Sequence, residues 1–438
     1  MNYKETIDYL YKSTPMFQKI GGKAYKEGLD NIYALDQFFK HPHTYYKTIH
    51  IAGTNGKGSC SHTLAAILQQ NGYKVGLFTS PHMLDFRERI RINGIPVPED
   101  SIVDFVRKYR SFFEPLSPSF FELTTAMAFY FFKQENVDVA VIEVGMGGRL
   151  DSTNIIHPDL TLITNIGLDH TQFLGSTLAE IAYEKAGIIK KDTPVVIGES
   201  LPETEPVFKE KASKEKAPIL FADKSPYVTL KGTKPAKEGG WIYDCKYPPK
   251  LYGELAGIYQ IKNTNTILHA LEELNKMNYS ITEESIRKGF ALVSKTTGLQ
   301  GRWQKVASRP TIICDSGHNV EGITQVVKQL QNTPHHQLHI VLGLVKDKDI
   351  TGVLQLLPKE AIYYFTKPQL ERALDEKELK QKGNAQALKG EAYPSVELAL
   401  NEARLNSKEN DLIFVGGSSF MVADLLALIK LNAKDFIL

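Results

Sequence analysis

The chain has 438 residues, of which 42% are hydrophobic and 23% charged, and its formal net charge is +2. That length exceeds what a single hydrophobic core serves, so two domains are expected in a protein of ordinary globular composition. A near-neutral balance leaves no overall field for nucleic acid or an anionic membrane, so any phosphate or carboxylate must be held by local charge.

The N-terminal stretch MNYKETIDYLYKSTP carries scattered charges and no apolar core segment, so it does not read as a signal peptide. No run of about 18 apolar residues follows anywhere, so no membrane span is expected. Cys60, Cys245 and Cys314 form no CxxC pair and suit a reducing compartment. The expected location is the cytoplasm.

From residue 48 onward, short apolar runs alternate with helical stretches. A β-branched run at 48–52 ends in a glycine turn, and a helix is predicted over 57–70. Further strands are predicted at 74–79, 137–143, 160–165 and 194–197. Near-continuous apolar strands with helical crossovers indicate a parallel sheet buried on both faces. A second series is predicted at 311–315, 338–343, 361–366 and 411–415. Between the two series, KTTGLQGRW has the glycines and polar residues of a hinge. The predicted fold is therefore α/β with two doubly wound domains, at 1–297 and 298–438. The first is a mainly parallel nucleotide-binding domain and the second a smaller Rossmann-like one, with ligands beyond the carboxyl ends of strands. The charge-dense KEKASKEK at 209–216 reads as a solvated helix face.

Gly53-Thr54-Asn55-Gly56-Lys57-Gly58-Ser59 follows the first strand and opens the first helix, the context a phosphate-binding loop requires. Glycines let the backbone approach phosphate, amide hydrogens turn inward, and the helix N-terminus adds partial positive charge. Lys57 supplies a full charge for β- and γ-phosphates, and its side chain is expected to face solvent. The pattern departs from G-x-x-x-x-G-K-[ST] at two points. Ile51 stands where the first glycine belongs, and Gly58 displaces Ser59 by one. A glycine-rich turn that binds nothing is the alternative.

This loop resembles that of the folylpolyglutamate and dihydrofolate synthases of the Mur ligase superfamily. So do TSPH at 79–82 with FRERI at 86–90, VIEVGMGGRLDSTNII at 141–156, and DHTQFLG at 169–175 leading into EKAGII at 184–189. GRWQ at 301–304 and DSGHN at 315–319 continue the resemblance in the family's order. It implies an ATP- and Mg²⁺-dependent ligase that joins L-glutamate to dihydropteroate or a reduced folate through an acyl phosphate. Ser80 and Glu143 would hold the nucleotide's Mg²⁺, and Glu143 with His170 a second ion. Oxygen ligands suit that metal, although a lone histidine is often only a structural hydrogen-bond partner. Lys185 would carry a carbamate whose negative charge supports the metal site. Only a neutral amine can accept CO₂, so burial or a nearby cation must lower its pKa. An ion-paired helix lysine is the alternative.

The resemblance also places Asn263 and Arg302 on ATP phosphates, Asp315 on the ribose and His318 near the nucleotide. Asp315 could equally cap a helix. Phe121, Glu122, Arg149, Leu150 and Asp151 match substrate contacts, and Tyr25, Lys26 and Glu27 stand where a pterin contact falls. VKDKD at 345–349 and GGSS at 416–419 resemble family positions without an assigned role, and the latter could simply begin a helix. His335, His336 and His339 suggest a metal, but the first two fall in a polar loop and the third at the start of the strand predicted after it, and a surface location accounts for them. A monomer is expected. Two alternatives remain, a cell-wall-type Mur amino-acid ligase and a non-catalytic nucleotide-binding module. Against the first, only 52 residues precede Gly53. Against the second stands a further domain bearing Arg302 and DSGHN.

Overall fold

The computed structural model of the protein describes residues 1–14 and 28–431. Tyr25, Lys26 and Glu27 lie outside the described residues. The chain forms two compact units, residues 1–254 with 259–299, and residues 255–258 with 300–438.

The first unit holds β1 (Lys47–Ala52), β2 (Val75–Phe78), β3 (Ile90–Ile92), β4 (Ile95–Pro96), β5 (Val139–Glu143), β6 (Leu160–Ile163), β7 (Val195–Ile197) and β8 (Ile219–Phe221). They form one sheet in the order β4-β3-β2-β5-β1-β6-β7-β8. Strands β2 to β8 in that order run parallel. The hairpin of β3 and β4 adds an antiparallel edge. β1, β2, β5, β6 and β7 are buried almost throughout, as their unbroken apolar sequences require. Helix Lys57–Gln70 packs on β1, β2 and β5. Aromatic side chains of helix Phe120–Gln134, including Phe129 and Phe132, fill one core with Phe78 and Ile142. Ile163, Val195, Ile197 and Phe208 form another. The segment at 209–216 lies largely in helix Glu205–Glu215, which buries Phe208 and Ala212 and pairs Lys209 with Glu205.

A small antiparallel sheet follows, β9 (Val228–Pro235), β10 (Trp241–Cys245) and β11 (Leu251–Gly253). No such sheet is predicted from the sequence pattern. Most of β9 is exposed, so it shows no apolar alternation.

The second unit is a six-stranded sheet, β12 (Gln304–Ser308), β13 (Thr311–Asp315), β14 (Leu338–Leu342), β15 (Ile362–Phe365), β16 (Lys389–Ala392) and β17 (Leu412–Gly416). Its order is β12-β13-β17-β14-β15-β16, and only β12 is antiparallel to its neighbour. Ile340 and Leu342 of β14 and Phe414 of β17 lie buried at its centre. Both units are thus α/β sheets of the predicted class, each with an unpredicted antiparallel edge. Among the described residues no helix is long and apolar enough to cross a membrane.

Candidate active site

Four adjacent parallel strands, β2, β5, β1 and β6, deliver candidate residues at their carboxyl ends. Ser80 follows β2, Glu143 ends β5, Gly53 follows β1, and His170 lies beyond β6. Register sets Ile51 of β1 level with Glu143 and Ala52 level with Ile163. Parallel pairing therefore brings together groups that are far apart in sequence.

The glycine loop is held from beneath by the segment after β6. Thr54 N donates to Asn165 O at 3.0 Å and Asn55 N to Asn165 Oδ1 at 2.9 Å. Thr164 Oγ1 donates to Asn55 O at 2.5 Å, and Gly167 N donates to Thr54 Oγ1 at 2.9 Å. The amides of Thr54 and Asn55 are therefore committed to Asn165, a correction to the expectation that the loop's amide hydrogens turn inward together. Gly53 has φ +146°, and a Cβ there would stand 1.8 Å from Thr164 Oγ1. At Gly56, φ is +86° and a Cβ would stand 2.5 Å from Asn263 Oδ1. Neither position accepts a side chain. Gly56 ends the loop as the residue before helix Lys57–Gln70, and no side chain caps that helix. Its N-terminus keeps the electropositive end that phosphate favours.

Helix Gln260–Lys276 supplies the other brace. Asn263 Nδ2 donates to Gln260 Oε1 at 2.8 Å, and Gln260 Nε2 donates to the buried Ser59 Oγ at 3.0 Å. Asn263 therefore lies directly against the loop at Gly56. Gln260, Thr164 and Asn165 have no place in the sequence reading. Thr164 and Asn165 sit at a strand's carboxyl end just before Asp169-His170, and that position was the available signal.

The Lys57 side chain folds back onto the loop instead of facing solvent. Its Nζ donates to Gly53 O at 2.8 Å and to Thr54 O at 3.2 Å. Lys185, 5% exposed in helix Leu178–Ala186, donates to the same Gly53 carbonyl at 3.1 Å. Two ammonium groups thus converge on one oxygen. Burial above all, with Lys57 adding to it, brings the Lys185 pKa down to about 7 against the opposing pull of Asp169 and Asp151.

Glu143 is 3% exposed, and its Oε2 accepts from Ser80 N at 2.9 Å. A buried carboxylate held by the backbone amide of a serine puts two oxygen-bearing side chains on neighbouring residues, a donor chemistry that fits Mg²⁺. His170 stands at φ +51° ahead of the short helix Thr171–Leu174, with Nε2 4.0 Å from Asp169 Oδ1. β5 and β6, which carry Glu143 and lead to His170, flank β1.

The candidate substrate residues divide. Phe121 packs over the loop after β5, where a Cβ on Gly145 would meet its ring at 2.5 Å. Leu150 is half-buried. Arg149 makes a two-point contact with Glu184, at 2.9 and 3.1 Å. Glu122 is occupied in a capping box with Ser119 and also accepts from Asn31 Nδ2. Asp151 accepts at Oδ2 from Gly145 N and Met146 N, and at Oδ1 from Thr153 N and Oγ1. That carboxylate shapes the loop, and burial raises its pKa. Beside them, buried Arg89 donates from Nε to His82 Nδ1 at 2.8 Å. Burial first and Arg89 second push His82 down to about 3, so the ring is neutral and can accept that bond. His82 Nε2 lies 3.2 Å from the Tyr11 hydroxyl. Both residues stand in motifs quoted from the sequence, where neither has an assigned role.

In the second unit, Arg302 precedes β12, and among the described residues its guanidinium meets only Gly301 O, at 3.5 Å. Asp315 ends β13, accepting from Trp303 N at 2.7 Å and Gly317 N at 2.8 Å. It is not the helix cap; Asn319 fills that place for helix Val320–Asn332. His318 Nδ1 lies 3.0 Å from Ser316 O. Arg372 clasps Asp347, and Asp349 caps helix Ile350–Leu356. Ser418 Oγ accepts from Met421 N, so the glycine-serine run does begin a helix. His339 lies in β14, where the strand is predicted, but it is buried against the Tyr364 hydroxyl rather than at the surface, while His335 and His336 are exposed.

Two domain families match the chain in series, the Mur ligase middle domain over residues 51–265 and the Mur ligase glutamate ligase domain over 301–419. The chain is a Mur-type ligase. It is 32% identical to the dihydrofolate synthase/folylpolyglutamate synthase of Bacillus subtilis, covering 92% of this chain and 95% of that one. Escherichia coli FolC in complex with DHPP and ADP superimposes with TM-score 0.82 at 28% identity, over 99% of both chains. A bifunctional folylpolyglutamate synthase/dihydrofolate synthase with Mn, AMPPNP and L-glutamate bound gives 0.81 at 28% identity, over 98% of both. This chain belongs to the folylpolyglutamate synthase and dihydrofolate synthase family.

Proposed function

We propose that the chain uses ATP to join L-glutamate to a folate-type carboxylate. The observation that carries this reading is the convergence of Lys57 and Lys185 on Gly53 O, at the end of the strand that pairs with the one ending in buried Glu143. A carboxylate is a poor acylating group because oxide would have to leave. Transfer of the γ-phosphoryl group to it makes an acyl phosphate; the glutamate amine then forms the C–N bond, phosphate leaves with the C–O electron pair, and the amine loses a proton. Two anions must first approach each other, and fixed cations offset their repulsion. Lys57 is assigned to the β- and γ-phosphates, with Gly53, Thr54, Asn55, Gly56, Gly58 and Ser59 shaping the loop around them. Ser80 and Glu143 would hold the nucleotide's Mg²⁺, and Glu143, His170 and a carbamylated Lys185 a second ion. Those ions would supply charge neutralisation at the transferring phosphoryl group.

Asn263, Arg302, Asp315 and His318 keep the nucleotide roles implied by their motifs. Arg302 is supported in this by having no carboxylate partner among the described residues. Phe121, Arg149 and Leu150 are retained as acceptor contacts, while Glu122 and Asp151 are reassigned to shaping the wall around them. The ATP-binding domain is taken as 1–297 and the ligase domain as 298–438. Gly298, at φ +72°, supports that division by ending helix Val293–Thr297. A cytoplasmic monomer completes the proposal, supported as to compartment by three buried free cysteines.

The test is ATP-dependent incorporation of labelled glutamate into dihydropteroate and into a reduced folate. Amide product with either acceptor supports the reading, and ATP hydrolysis without amide product removes it. Glu143→Gln is expected to raise the Mg²⁺ concentration for half-maximal rate by about tenfold or more, since a neutral amide replaces an anionic ligand while still accepting from Ser80 N. A magnesium titration that superimposes on wild type would show that Glu143 is no ligand.

A further inference from the structure

At the other end of β1 from the glycine loop lies a cluster that this ligase chemistry does not use. Helix Asp30–Phe38 and the 3₁₀ turn Pro42–Tyr45 lead into the amino end of β1. Six residues of strand, about 20 Å, separate that end from Gly53. Asp36, His41 and His43 meet there. His41 Nδ1 is 2.6 Å from Asp36 Oδ2, and His43 Nε2 is 3.4 Å from Asp36 Oδ1. One ligand atom from each residue lies within 4.8 Å of the other two, and among the described residues no other trio of histidine, cysteine and acidic side chains does so.

Two observations point to an ion rather than a plain histidine–carboxylate clasp. Asp36 is 6% exposed, and its Oδ1 is a buried oxygen that makes no well-formed hydrogen bond, His43 Nε2 standing 3.4 Å away. An ionised carboxylate oxygen in that position is costly without a positive partner. The donor set is also selective, since two imidazole nitrogens and one carboxylate oxygen suit Zn²⁺ and its neighbours rather than Mg²⁺. Donors about 2.0–2.1 Å from a tetrahedral ion stand about 3.3 Å apart. The His43–Asp36 pair already has that spacing, and the His41 pair reaches it by opening less than about 1 Å. His41 is 59% exposed, so its ring can move and leaves a path from solvent.

We propose that Asp36, His41 and His43 bind one divalent transition-metal ion of the zinc class, with water completing the shell. The ion would tie helix Asp30–Phe38 to the turn that enters β1. The test is equilibrium dialysis of Zn²⁺ against the tag-free full chain, with Mg²⁺ in excess to fill oxygen-donor sites. One Zn²⁺ per chain is expected. His41→Ala and His43→Ala should each raise the dissociation constant at least about tenfold, while ligase activity in Mg²⁺ is unchanged. Because His41 is exposed, its removal leaves packing intact, and lost Zn²⁺ reads as a lost ligand. A His335→Ala/His336→Ala double variant should bind as wild type does. Absence of stoichiometric Zn²⁺ in wild type, equal binding by the His41 and His43 variants, or loss of binding in the double variant overturns the proposal.

Discussion

Lys57→Ala is expected to lower kcat/KM for ligation by about 10³-fold while leaving a cooperatively folding protein. The charge lost is the one assigned to the β- and γ-phosphates, where two anions must be brought together. The same ammonium also donates to Gly53 O and Thr54 O, so the empty loop loses two charge-assisted bonds. The stability cost is roughly 1–2 kcal/mol at a half-buried site, small beside the catalytic loss. A second effect adds to the first. Lys57 is one of the groups holding the Lys185 pKa down. Its removal raises that pKa and makes the neutral amine scarcer at pH 7. Steady-state kinetics and a denaturant curve check both statements. Ligation at wild-type rates in Lys57→Ala would remove the ATP-site assignment.

Lys185→Arg is expected to abolish turnover as well, although it conserves charge. An amine with a pKa of about 10.4 is neutral in roughly one molecule in a thousand at physiological pH, whereas a group near 7 is neutral in about half or more. The neutral form can take up CO₂ and become an anion beside the proposed metal ligands. Guanidinium stays protonated and cannot. Lys185→Ala should be inactive too, and acetate should partly restore it by occupying the vacated space with a carboxylate. The linkage has a definite sign. The folded-state pKa lies below the unfolded value, so the unfolded chain binds more protons between about pH 7 and 10.5. This group's contribution to the stability of the unmodified enzyme therefore improves as pH rises through that window, and below it the buried charge is a constant penalty. Near-normal activity in Lys185→Arg would leave an ion-pairing lysine and no carbamate.

How much of this was legible depends on what each residue's signal was. Helix Lys57–Gln70 appears at its predicted bounds because the glycine turn and the strand before it are both local features. β13 does so for the same reason, an apolar run ended by Asp315. β16, with sequence KGEA, carries no strand preference and exists only because β15 offers it an edge. The β3–β4 hairpin carries a local signal of its own. Asn93 and Gly94, at φ +48° and +76°, are the Asn-Gly pair of a tight hairpin turn.

In the site, the glycine loop announced itself, but its supports did not. Asn165 and Gln260 are neutral amides whose role comes from parallel pairing and helix packing across long separations. Glu122 and Asp151 show the converse. Both stand in motifs shared with the family, and both spend their carboxylates on backbone amides. The Ser119-x-x-Glu122 spacing is a capping box that sequence alone could have identified.

The most direct test of the central claim follows an oxygen atom. The acceptor's free carboxylate is labelled with ¹⁸O, and ligation to glutamate is run with unlabelled ATP in unlabelled water. Activation through an acyl phosphate cleaves the bond between the carboxyl carbon and the oxygen that received phosphorus. One ¹⁸O should therefore appear in inorganic phosphate for every amide formed, measured by mass spectrometry of the phosphate. Label appearing in AMP, or phosphate released without label while amide accumulates, would contradict the mechanism.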